Sequence, residues 1–297
     1  MFVLGIDGGG THTRMEMRDM ENRLLRRGEL GPFNINAIGE NAFRTLLEEI
    51  FRWCGGMENC DRLCIGGAGI SNPAAEKILA EELEKADFRG IWKLCGDQEI
   101  ALRGAMDGPG IVVIAGTGSI CFGKNAAGRT ARSGGYGHLI DDGGSGYALG
   151  RQVLSSAVRC ADGRLKDSGI LQAVCHRLEG GPEKIVPFVY APETDKAAIA
   201  KFASIALAQA EQGDGEAWRI LRQEAQELYR MVLAVQEALH MPKCRIALLG
   251  GLLASENPYR AEAAQQLTYL GTVAPAKHDA LWGAAQLAWE LDNETGG

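Results

Sequence analysis

Apolar and polar residues alternate along the first 30 positions in a way that predicts three strands joined by tight turns. Residues 2–7 form an apolar run that ends in glycines, residues 13–19 alternate between polar and apolar, and residues 23–29 follow a turn at 20–22. Alternation with a period of two is typical of a half-buried strand. The pattern therefore predicts an antiparallel β-meander at the start of the chain.

Helical and strand-like segments then follow one another up to residue 105. Apolar residues at helical spacing predict helices over 40–53, 73–85 and 97–105, and short apolar runs predict buried strands over 62–65 and 91–95. Strands that alternate with helices are typical of a parallel sheet. We therefore expect parallel strands to extend the first sheet.

The same order begins again after the turn-rich segment 107–110. The strands predicted beyond it are 111–115, 120–124, 129–133 and 245–249, and the helices are 147–160, 168–177, 195–212, 215–239, 258–267 and 280–291. In both halves the first strand ends in a glycine-rich turn that leads into a second strand. This weak duplication, at a spacing of about 110 residues, predicts two similarly wound α/β domains.

Composition and charge exclude several classes of protein. The 297 residues carry a net charge of −7, which is opposite to the basic surface of a nucleic-acid binder. No apolar stretch reaches the roughly 18 residues that a membrane helix needs, and the first residues lack the basic region of a signal peptide. The eight scattered cysteines include no C-x-x-C pair and indicate free thiols in a reducing compartment. We expect a cytoplasmic protein that binds neither nucleic acid nor membrane.

Glycine is in marked excess, and its positions are informative. The chain has 40 glycines, where the average usage of about 7% would give roughly 20. They cluster after apolar runs, at 8–10, at 116–118 and at 250–251. Such turns expose backbone N–H groups to an anion, and the first two can hold one polyphosphate from two sides. Neither a Walker motif nor a Rossmann fingerprint is present, because no G-K-[ST] follows and no G-x-G-x-x-G opens a helix.

Asp7 and two threonines complete the first glycine segment. An aspartate at a strand end can hold Mg²⁺ through its hydration waters, because this ion keeps several waters and takes few carboxylates. Thr11 and Thr13 add hydroxyl donors for phosphate oxygens. A glycine-rich hairpin with a structural role alone would contain the same residues, so both interpretations stay open.

The order of the three glycine segments resembles the two phosphate loops and the adenosine loop of the actin/hexokinase/Hsp70 superfamily. Thr11-His12-Thr13, the segment around Asp97, residues 115–119 and above all the block 134–146 resemble the N-acetylglucosamine kinase branch of the BadF/BadG/BcrA/BcrD group. The resemblance covers essentially the whole chain. It implies an actin-like ATPase fold, in which two ribonuclease-H-like domains, 1–107 and 108–279, flank a cleft. The last helix, about 280–292, is expected to pack back on the first domain.

The resemblance implies that Mg²⁺ and ATP serve to phosphorylate an amino-sugar hydroxyl. Asp97 matches the family's catalytic base, and Asp7 would hold the metal through water. The residues implied to bind the nucleotide are Gly9, Gly10, Thr11, Thr13, Gly116, Thr117, Gly118, Gly250 and Gly251. Those implied to bind the sugar are Asn34, Gly67, Ala68, Gly69, Asp97, Thr117, Gly135, Tyr136 and Asp142.

Several of these positions have a second interpretation. Asp97 also fits as the N-cap of the helix that follows it. Asn34 also fits an Asx-turn, and its neighbour Asn36 can take the same sugar-binding role. Tyr136 stands where the family often has tryptophan, and Asp141 stands where many members have glycine.

The resemblance makes N-acetylglucosamine, phosphorylated on its 6-hydroxyl, the first expectation for the substrate. Glucosamine and N-acetylmuramic acid remain alternative acceptors. An ATPase activator of a dehydratase, from the same group, is a further alternative. Such activators bridge an iron–sulfur cluster with a cysteine in a glycine-rich context, whereas the nearest candidate here, Cys121, lies inside a predicted strand. A homodimer through the helical second domain is usual for the family.

Overall fold

The computed structural model describes residues 1–166 and 168–292, which form two compact units. Unit 1 comprises Met1–Gly108 together with residues 276–292, and unit 2 comprises Pro109–Pro275. Each unit contains one five-stranded mixed sheet with helices packed against it. The α/β class and the repetition of one strand order in both halves are therefore confirmed.

The described strands and helices follow each other in the order that the hydrophobic pattern predicts, with several additions. The strands are β1 Phe2–Gly8, β2 Thr13–Asp19, β3 Leu24–Leu30, β4 Cys60–Gly67, β5 Ile91–Gly96, β6 Gly110–Ala115, β7 Ser119–Lys124, β8 Thr130–Gly134, β9 Cys244–Leu249 and β10 Gly271–Val273. The helices are α1 Ile35–Ile38, α2 Glu40–Trp53, α3 Pro73–Lys85, α4 Asp97–Ala105, α5 Gly146–Ala161, α6 Gly169–Arg177, α7 Ile185–Tyr190, α8 Lys196–Ala200, α9 Ala203–Glu211, α10 Gly215–Leu239, α11 Pro258–Leu267 and α12 Ala280–Trp289.

The sheet of unit 1 has the order β3-β2-β1-β4-β5, with β1–β3 antiparallel and β4 and β5 parallel to β1. Successive side chains of a strand point to opposite faces. Leu4 and Ile6 accordingly join the core that includes apolar residues of α2 and α3, whereas Val3 joins the core beneath α4 and α12. A Cβ atom at Gly5 would overlap the backbone of Ala285, so the absence of a side chain there lets α12 lie directly on β1.

The sheet of unit 2 has the order β10-β9-β6-β7-β8, again a meander extended by parallel strands. The 25-residue helix α10 packs on β7 and β8. Asp214 caps its N-terminus, since its carboxylate accepts the N–H groups of Glu216 and Ala217, and His240, which has a left-handed backbone with φ 55°, caps its C-terminus. A side-chain cap at one end and a left-handed residue at the other explain why the helix has these limits.

The predicted elements differ from the observed ones in a few places. The single helix predicted over 195–212 is wrong: it is divided into α8 and α9, and Phe202 at the break is buried in the core of unit 2. The short elements α1, α7, β10 and a 3₁₀ helix at Pro182–Lys184 were not predicted, because segments of three to six residues are too short to show a period. Among the described residues, no helix combines the length and apolarity that a membrane crossing requires.

Candidate functional site

The carboxyl ends of three parallel strands meet at one edge of the unit 1 sheet. Gly8 at the end of β1 lies opposite Gly67 in β4, and Gly67 lies opposite Gly96 in β5. The residues at and after these strand ends are Asp7, the turn 9–12, Ala68 with Gly69, and Asp97. The fold therefore places the predicted metal residue, the predicted sugar residues 67–69 and the predicted base along a single edge.

The ring of Phe33 holds the segment 31–36 against this edge. Phe33 is fully buried and meets Phe43 edge-on, with 4.9 Å between the ring centroids. A Cβ atom at Gly8 would overlap the Phe33 ring, and one at Gly67 would lie 2.5 Å from it. Glycine at both positions thus makes room for the ring, a packing role that the sequence did not reveal. The Phe33 N–H also donates to the Gly9 carbonyl at 3.0 Å.

Asn34 and Asn36 both lie beside the turn that follows β4. The Asn34 Oδ1 atom accepts the Asn36 N–H at 3.1 Å and caps α1, so the Asx-type turn is present. The Asn36 Oδ1 atom accepts from Asn72 Nδ2 at 2.9 Å. A Cβ atom at Gly69 would overlap the Asn34 side chain. Contact of either asparagine with a sugar stays a prediction.

Asp97 is the first residue of α4, and the N-cap is Gly96, so the alternative interpretation of Asp97 as the N-cap is wrong. The side chain reaches solvent, yet protein atoms crowd around its carboxylate. This partial loss of water raises the pKa of Asp97 above its ordinary value, and the negative charge of Asp7 raises it further. A carboxylate with a raised pKa is a better proton acceptor, which is the property that a general base requires.

Asp7 forms an ion pair that the sequence analysis missed. Its Oδ2 atom accepts from Arg14 Nη2 at 2.5 Å, and Arg14 Nη1 lies 3.7 Å from Asp279, the residue that caps α12. Asp7 and Arg14 face each other across the antiparallel pair β1–β2, so the register of the hairpin would have indicated the contact. The Asp7 side chain is 14% exposed.

Two polar residues of the first glycine turn have partners within unit 1. The Thr13 hydroxyl is buried and donates to the Gly31 carbonyl at 2.7 Å, so its proton is already used in this arrangement. His12 lies on the surface, with Nδ1 3.0 Å from a Glu29 carboxylate oxygen. Gly10 and Thr11 are exposed, and a Cβ atom at Gly10 would meet no other atom within 4 Å. Within this turn, the backbone that is exposed and open to an anion is therefore that of residues 10–11.

Two of the glycine segments, 116–118 and 250–252, and the glycine-containing loop 142–146 meet at the carboxyl end of β6 in unit 2. Gly116 closes a tight turn by donating its N–H to the Gly118 carbonyl at 2.9 Å. The N–H of Gly146 donates to the Gly116 carbonyl at 2.8 Å, and the N–H of Leu252 donates to the Ala115 carbonyl at 3.1 Å. Gly250 has φ +87°, and a Cβ atom there would overlap the Ala115 carbonyl. Residues 116–118, 142–146 and 250–252 thus form one cluster of backbone.

Asp142 lies under the 116–118 turn. It is only 4% exposed and has a left-handed backbone with φ 64°. Its Oδ1 atom accepts a long hydrogen bond of 3.5 Å from the Ser119 N–H, and a Cβ atom at Gly118 would lie 3.0 Å from Oδ2. Its predicted contact with a sugar hydroxyl stays a prediction.

Two buried side chains that the sequence analysis missed hold the loop after Asp142. Glu224 of α10 accepts the Gly144 N–H at 2.8 Å and the Gln152 amide at 3.0 Å. The Tyr259 hydroxyl donates to the Gly144 carbonyl at 2.7 Å, and burial raises the pKa of this phenol well above its ordinary value. Glu224 lies among buried apolar residues of α10 such as Leu221 and Leu228, so an acidic residue on an apolar face was the available signal. Tyr259 had none.

The tip of the same loop is exposed. Tyr136 is 60% exposed, and the Arg132 guanidinium lies 4.9 Å from the centroid of its ring. The Tyr136 N–H donates to Asp141 Oδ2 at 3.3 Å. The carboxylate of Asp141 therefore closes the turn next to Gly135 and Tyr136.

A cavity of about 660 Å³ opens beside the segment 250–252 in unit 2. Apolar side chains form much of its wall, and a few polar groups join them, as is typical of small-molecule sites. Arg177 lies over the Phe202 ring and donates to the Lys201 carbonyl at 2.5 Å and to Ser204 Oγ at 3.0 Å. Other residues of the wall are Leu178, Phe188, Leu207 and Leu252.

The described residues contain no cluster of three or more His, Cys, Asp or Glu with the geometry of a metal site. Cys121 lies within β7 and is fully buried, and this burial raises the pKa of its thiol far above the ordinary range. Cluster ligation by cysteine requires the thiolate. Cys121 is therefore neither exposed nor readily converted to the thiolate.

Comparison with known proteins gives matches over almost the whole chain. A sequence profile described as the BadF/BadG/BcrA/BcrD ATPase family matches residues 4–288. An N-acetylmuramic acid/N-acetylglucosamine kinase of Clostridium acetobutylicum is 33% identical over 265 residues, covering 86% of this chain and 87% of the relative. An N-acetyl-D-glucosamine kinase of Dictyostelium discoideum is 26% identical over 257 residues, covering 81% of each chain.

A solved structure shares the same fold. It is the crystal structure of a proposed N-acetylglucosamine kinase from Chromobacterium violaceum, with a TM-score of 0.75 and 24% sequence identity. The match covers 97% of this chain and 98% of the other. At this level of identity the comparison concerns the fold alone.

Proposed function

This chain belongs to the BadF/BadG/BcrA/BcrD ATPase family, and from that premise we propose that it is an ATP-dependent kinase of amino sugars. The expected acceptor is the 6-hydroxyl of N-acetylglucosamine. Two relatives that cover most of the chain are named as kinases of this sugar, which supports the proposal. The observation that carries it is the convergence of Asp7, residues 67–69 and Asp97 on one sheet edge.

On the phosphate side, we propose that backbone N–H groups of residues 10–11 and 117–118 bind the polyphosphate. The first turn of α5 does not serve this purpose, because Gly146 and Tyr147 donate their N–H groups to the Gly116 and Thr117 carbonyls. The large cavity beside the segment 250–252 would take the base of the nucleotide, with Leu252 in its wall. A chain of net charge −7 must attract ATP through such local donors rather than through its overall field.

The carboxylate of Asp7 fits a water-mediated magnesium site. Mg²⁺ bound with ATP takes most of its ligands from phosphates and water, so one carboxylate suffices. Arg14 occupies one side of that carboxylate without enclosing it, since the side chain keeps 14% exposure. Bound there, the ion would screen the negative charge of the β- and γ-phosphates.

On the sugar side, we propose that Asp97 orients the 6-hydroxyl and accepts its proton as the oxygen attacks the γ-phosphorus, while the bond from the γ-phosphorus to the bridging oxygen breaks and ADP leaves. Phosphoryl transfer depends mainly on alignment and charge screening, and a base at this position supplies the alignment of the nucleophile. Residues 34, 67–69, 135–136 and 142 are proposed to bind the other sugar groups. We also propose that the protein is cytoplasmic and that it forms a homodimer through the helices of unit 2.

The test is ADP release with Mg²⁺ and ATP against a panel of sugars. We expect N-acetylglucosamine to give the highest kcat/KM and its 6-deoxy analogue to give no sugar-dependent release. Glucosamine and N-acetylmuramic acid belong in the same panel. ADP release that no sugar stimulates, together with a brown colour after anaerobic purification, would favour the dehydratase activator instead.

The raised pKa of Asp97 predicts an acid limb in the pH profile. The base works only as a carboxylate, so kcat/KM falls as the pH drops through the pKa of Asp97. Because burial and Asp7 raise that pKa, the midpoint should lie above 3.8, the ordinary value for aspartate. The profile of kcat/KM for N-acetylglucosamine measures it, with circular dichroism at each pH as a control for unfolding. A profile that stays flat down to about pH 4 would contradict this role.

A further inference from the structure

The cavity of about 660 Å³ beside the segment 250–252 offers hydrogen-bond donors but few acceptors. Among the described side chains that line it there is no carboxylate, carboxamide or imidazole, and the polar ones are Arg177, Lys201 and Ser204. Alanine, leucine and phenylalanine side chains form the rest of the wall. In a chain of net charge −7, the charged side chains of this wall are therefore all cationic.

Arg177 is held at the wall by three contacts. Its guanidinium lies over the Phe202 ring, with Cζ 5.4 Å from the ring centroid. Its Nη1 atom donates to the Lys201 carbonyl at 2.5 Å, and its Nη2 atom donates to Ser204 Oγ at 3.0 Å. A guanidinium has five N–H groups, and the other three have no hydrogen-bond partner within residues 1–166 and 168–292. Arg177 therefore presents unused donors from a plane that its neighbours fix.

The acceptors next to Arg177 are already in use. The Ser204 hydroxyl accepts from Arg177 and donates to the Lys201 carbonyl at 2.9 Å, and the same carbonyl also accepts from Arg177. Ser204 Oγ is the only side-chain acceptor among the described residues of the wall, and one of its two lone pairs is occupied. A ligand whose edge consists of acceptors thus fits this wall better than one that must donate.

The two common purines differ in this respect. Guanine presents two adjacent acceptors, O6 and N7, which the fork of an arginine can bind together, whereas adenine presents N7 beside the amino donor N6. A 6-oxopurine such as guanine or hypoxanthine therefore matches the unused donors of Arg177 at two atoms, and adenine matches them at one. The apolar part of the wall adds no preference, because the burial of apolar surface is non-directional.

We propose that this kinase takes 6-oxopurine nucleoside triphosphates, GTP and ITP, as phosphoryl donors as well as ATP, and that Arg177 binds their O6 and N7 atoms. This inference rests on the proposed function, in which the same cavity takes the base of the nucleotide. The transfer itself is unchanged. The sugar 6-oxygen bonds to the γ-phosphorus, the bond to the bridging oxygen breaks, and GDP or IDP leaves in place of ADP.

The first test compares nucleotides on the wild-type protein, with Mg²⁺ and N-acetylglucosamine held constant. We expect kcat/KM for GTP and for ITP to lie within about tenfold of the value for ATP, because a site without a dedicated acceptor for the adenine amino group discriminates weakly. 7-Deaza-GTP lacks the N7 acceptor, so its kcat/KM should be about 5- to 10-fold below that of GTP. Formation of the sugar phosphate measures all four nucleotides in the same way.

The second test replaces Arg177 with methionine, which removes the donors and keeps an unbranched apolar side chain over the Phe202 ring. We expect kcat/KM for GTP and ITP to fall by about 10- to 100-fold and that for ATP by less than about fivefold. The difference between GTP and its 7-deaza analogue should disappear. Arg164→Met is the matched control, because Arg164 pairs with Asp162 at 2.6 Å on the surface of the same unit and does not line the cavity. It should change none of these values.

The possible failures are distinguishable, because isothermal titration with ADP, GDP and IDP measures base binding without turnover. If ATP supports phosphorylation of N-acetylglucosamine but GDP and IDP bind more than about 100-fold more weakly than ADP, the inference is overturned and the proposed function stands. Equal losses for ADP and GDP in Arg177→Met, with an unchanged melting temperature, overturn it as well. If all three diphosphates bind but no triphosphate supports phosphorylation of any amino sugar, the proposed function itself fails.

Discussion

Replacement of Asp97 by asparagine is expected to lower kcat for N-acetylglucosamine by about 10²- to 10⁴-fold, the contribution of a positioned general base. The asparagine side chain keeps the size of the carboxylate but cannot accept the hydroxyl proton. ATP binding should stay nearly intact, because the proposed nucleotide contacts are in the turns 10–11 and 117–118 and beside 250–252. The measurements are kcat from coupled ADP release and the Kd of ATP from isothermal titration.

Asp87→Asn is the matched control for this prediction. Asp87 lies in unit 1 on the surface, where it pairs with Arg89 at 3.0 Å, so its loss should leave kcat unchanged. Wild-type turnover in Asp97→Asn would remove the residue from its proposed role. A parallel loss of ATP affinity would indicate a disturbed fold rather than a missing base.

Replacement of Phe33 by alanine is expected to lower the free energy of unfolding by about 3–5 kcal/mol, as for other fully buried aromatic rings. The ring fills the space over Gly8 and Gly67 and meets Phe43. Its loss also frees the segment that carries Asn34, so the KM for the sugar should rise. Chemical denaturation followed by circular dichroism measures the first effect, and Leu25→Ala, at an exposed position, should cost less than about 0.5 kcal/mol.

A double-mutant cycle isolates the contact between Phe33 and Gly67. Alone, Gly67→Ala should cost about 1–3 kcal/mol, because the added methyl group is forced against the ring. In the Phe33→Ala background the same change should cost far less, because the obstructing ring is gone. Strictly additive costs would show that Gly67 is not constrained by Phe33.

Much of the fold could be predicted from the sequence because its signals are local. The alternation in residues 13–19 and the helical spacing in 40–53 correspond to β2 and α2. The glycines that end or follow β1, β6 and β9 fall into two groups. At Gly8 and Gly250 other atoms lie too close for a Cβ atom, whereas at Gly10, Gly116 and Gly251 a Cβ atom would meet no other atom within 4 Å. The helix over 195–212 was predicted wrongly, because helical propensity continues through a break at which Phe202 is buried.

The candidate site was only partly predictable. Asp97, Asp7 and the glycine turns were recognised from motifs, and the fold brings Asp7 and Asp97 to one edge of a sheet. The contacts that hold the loop after Asp142 were not recognised, because they join residues far apart in the chain. Glu224, which accepts the Gly144 N–H, and Tyr259, which donates to the Gly144 carbonyl, lie 80 and 115 positions from residue 144 in the chain.

By itself, the sequence determined the α/β class, most strands and helices, and the glycine turns, because periodicity and backbone freedom are properties of neighbouring residues. Only the tertiary structure decided that Gly96 rather than Asp97 caps α4 and that Thr13 donates to Gly31. Hydrogen bonding and burial depend on strand register and helix packing. Those are fixed by contacts between distant residues, which no local pattern records.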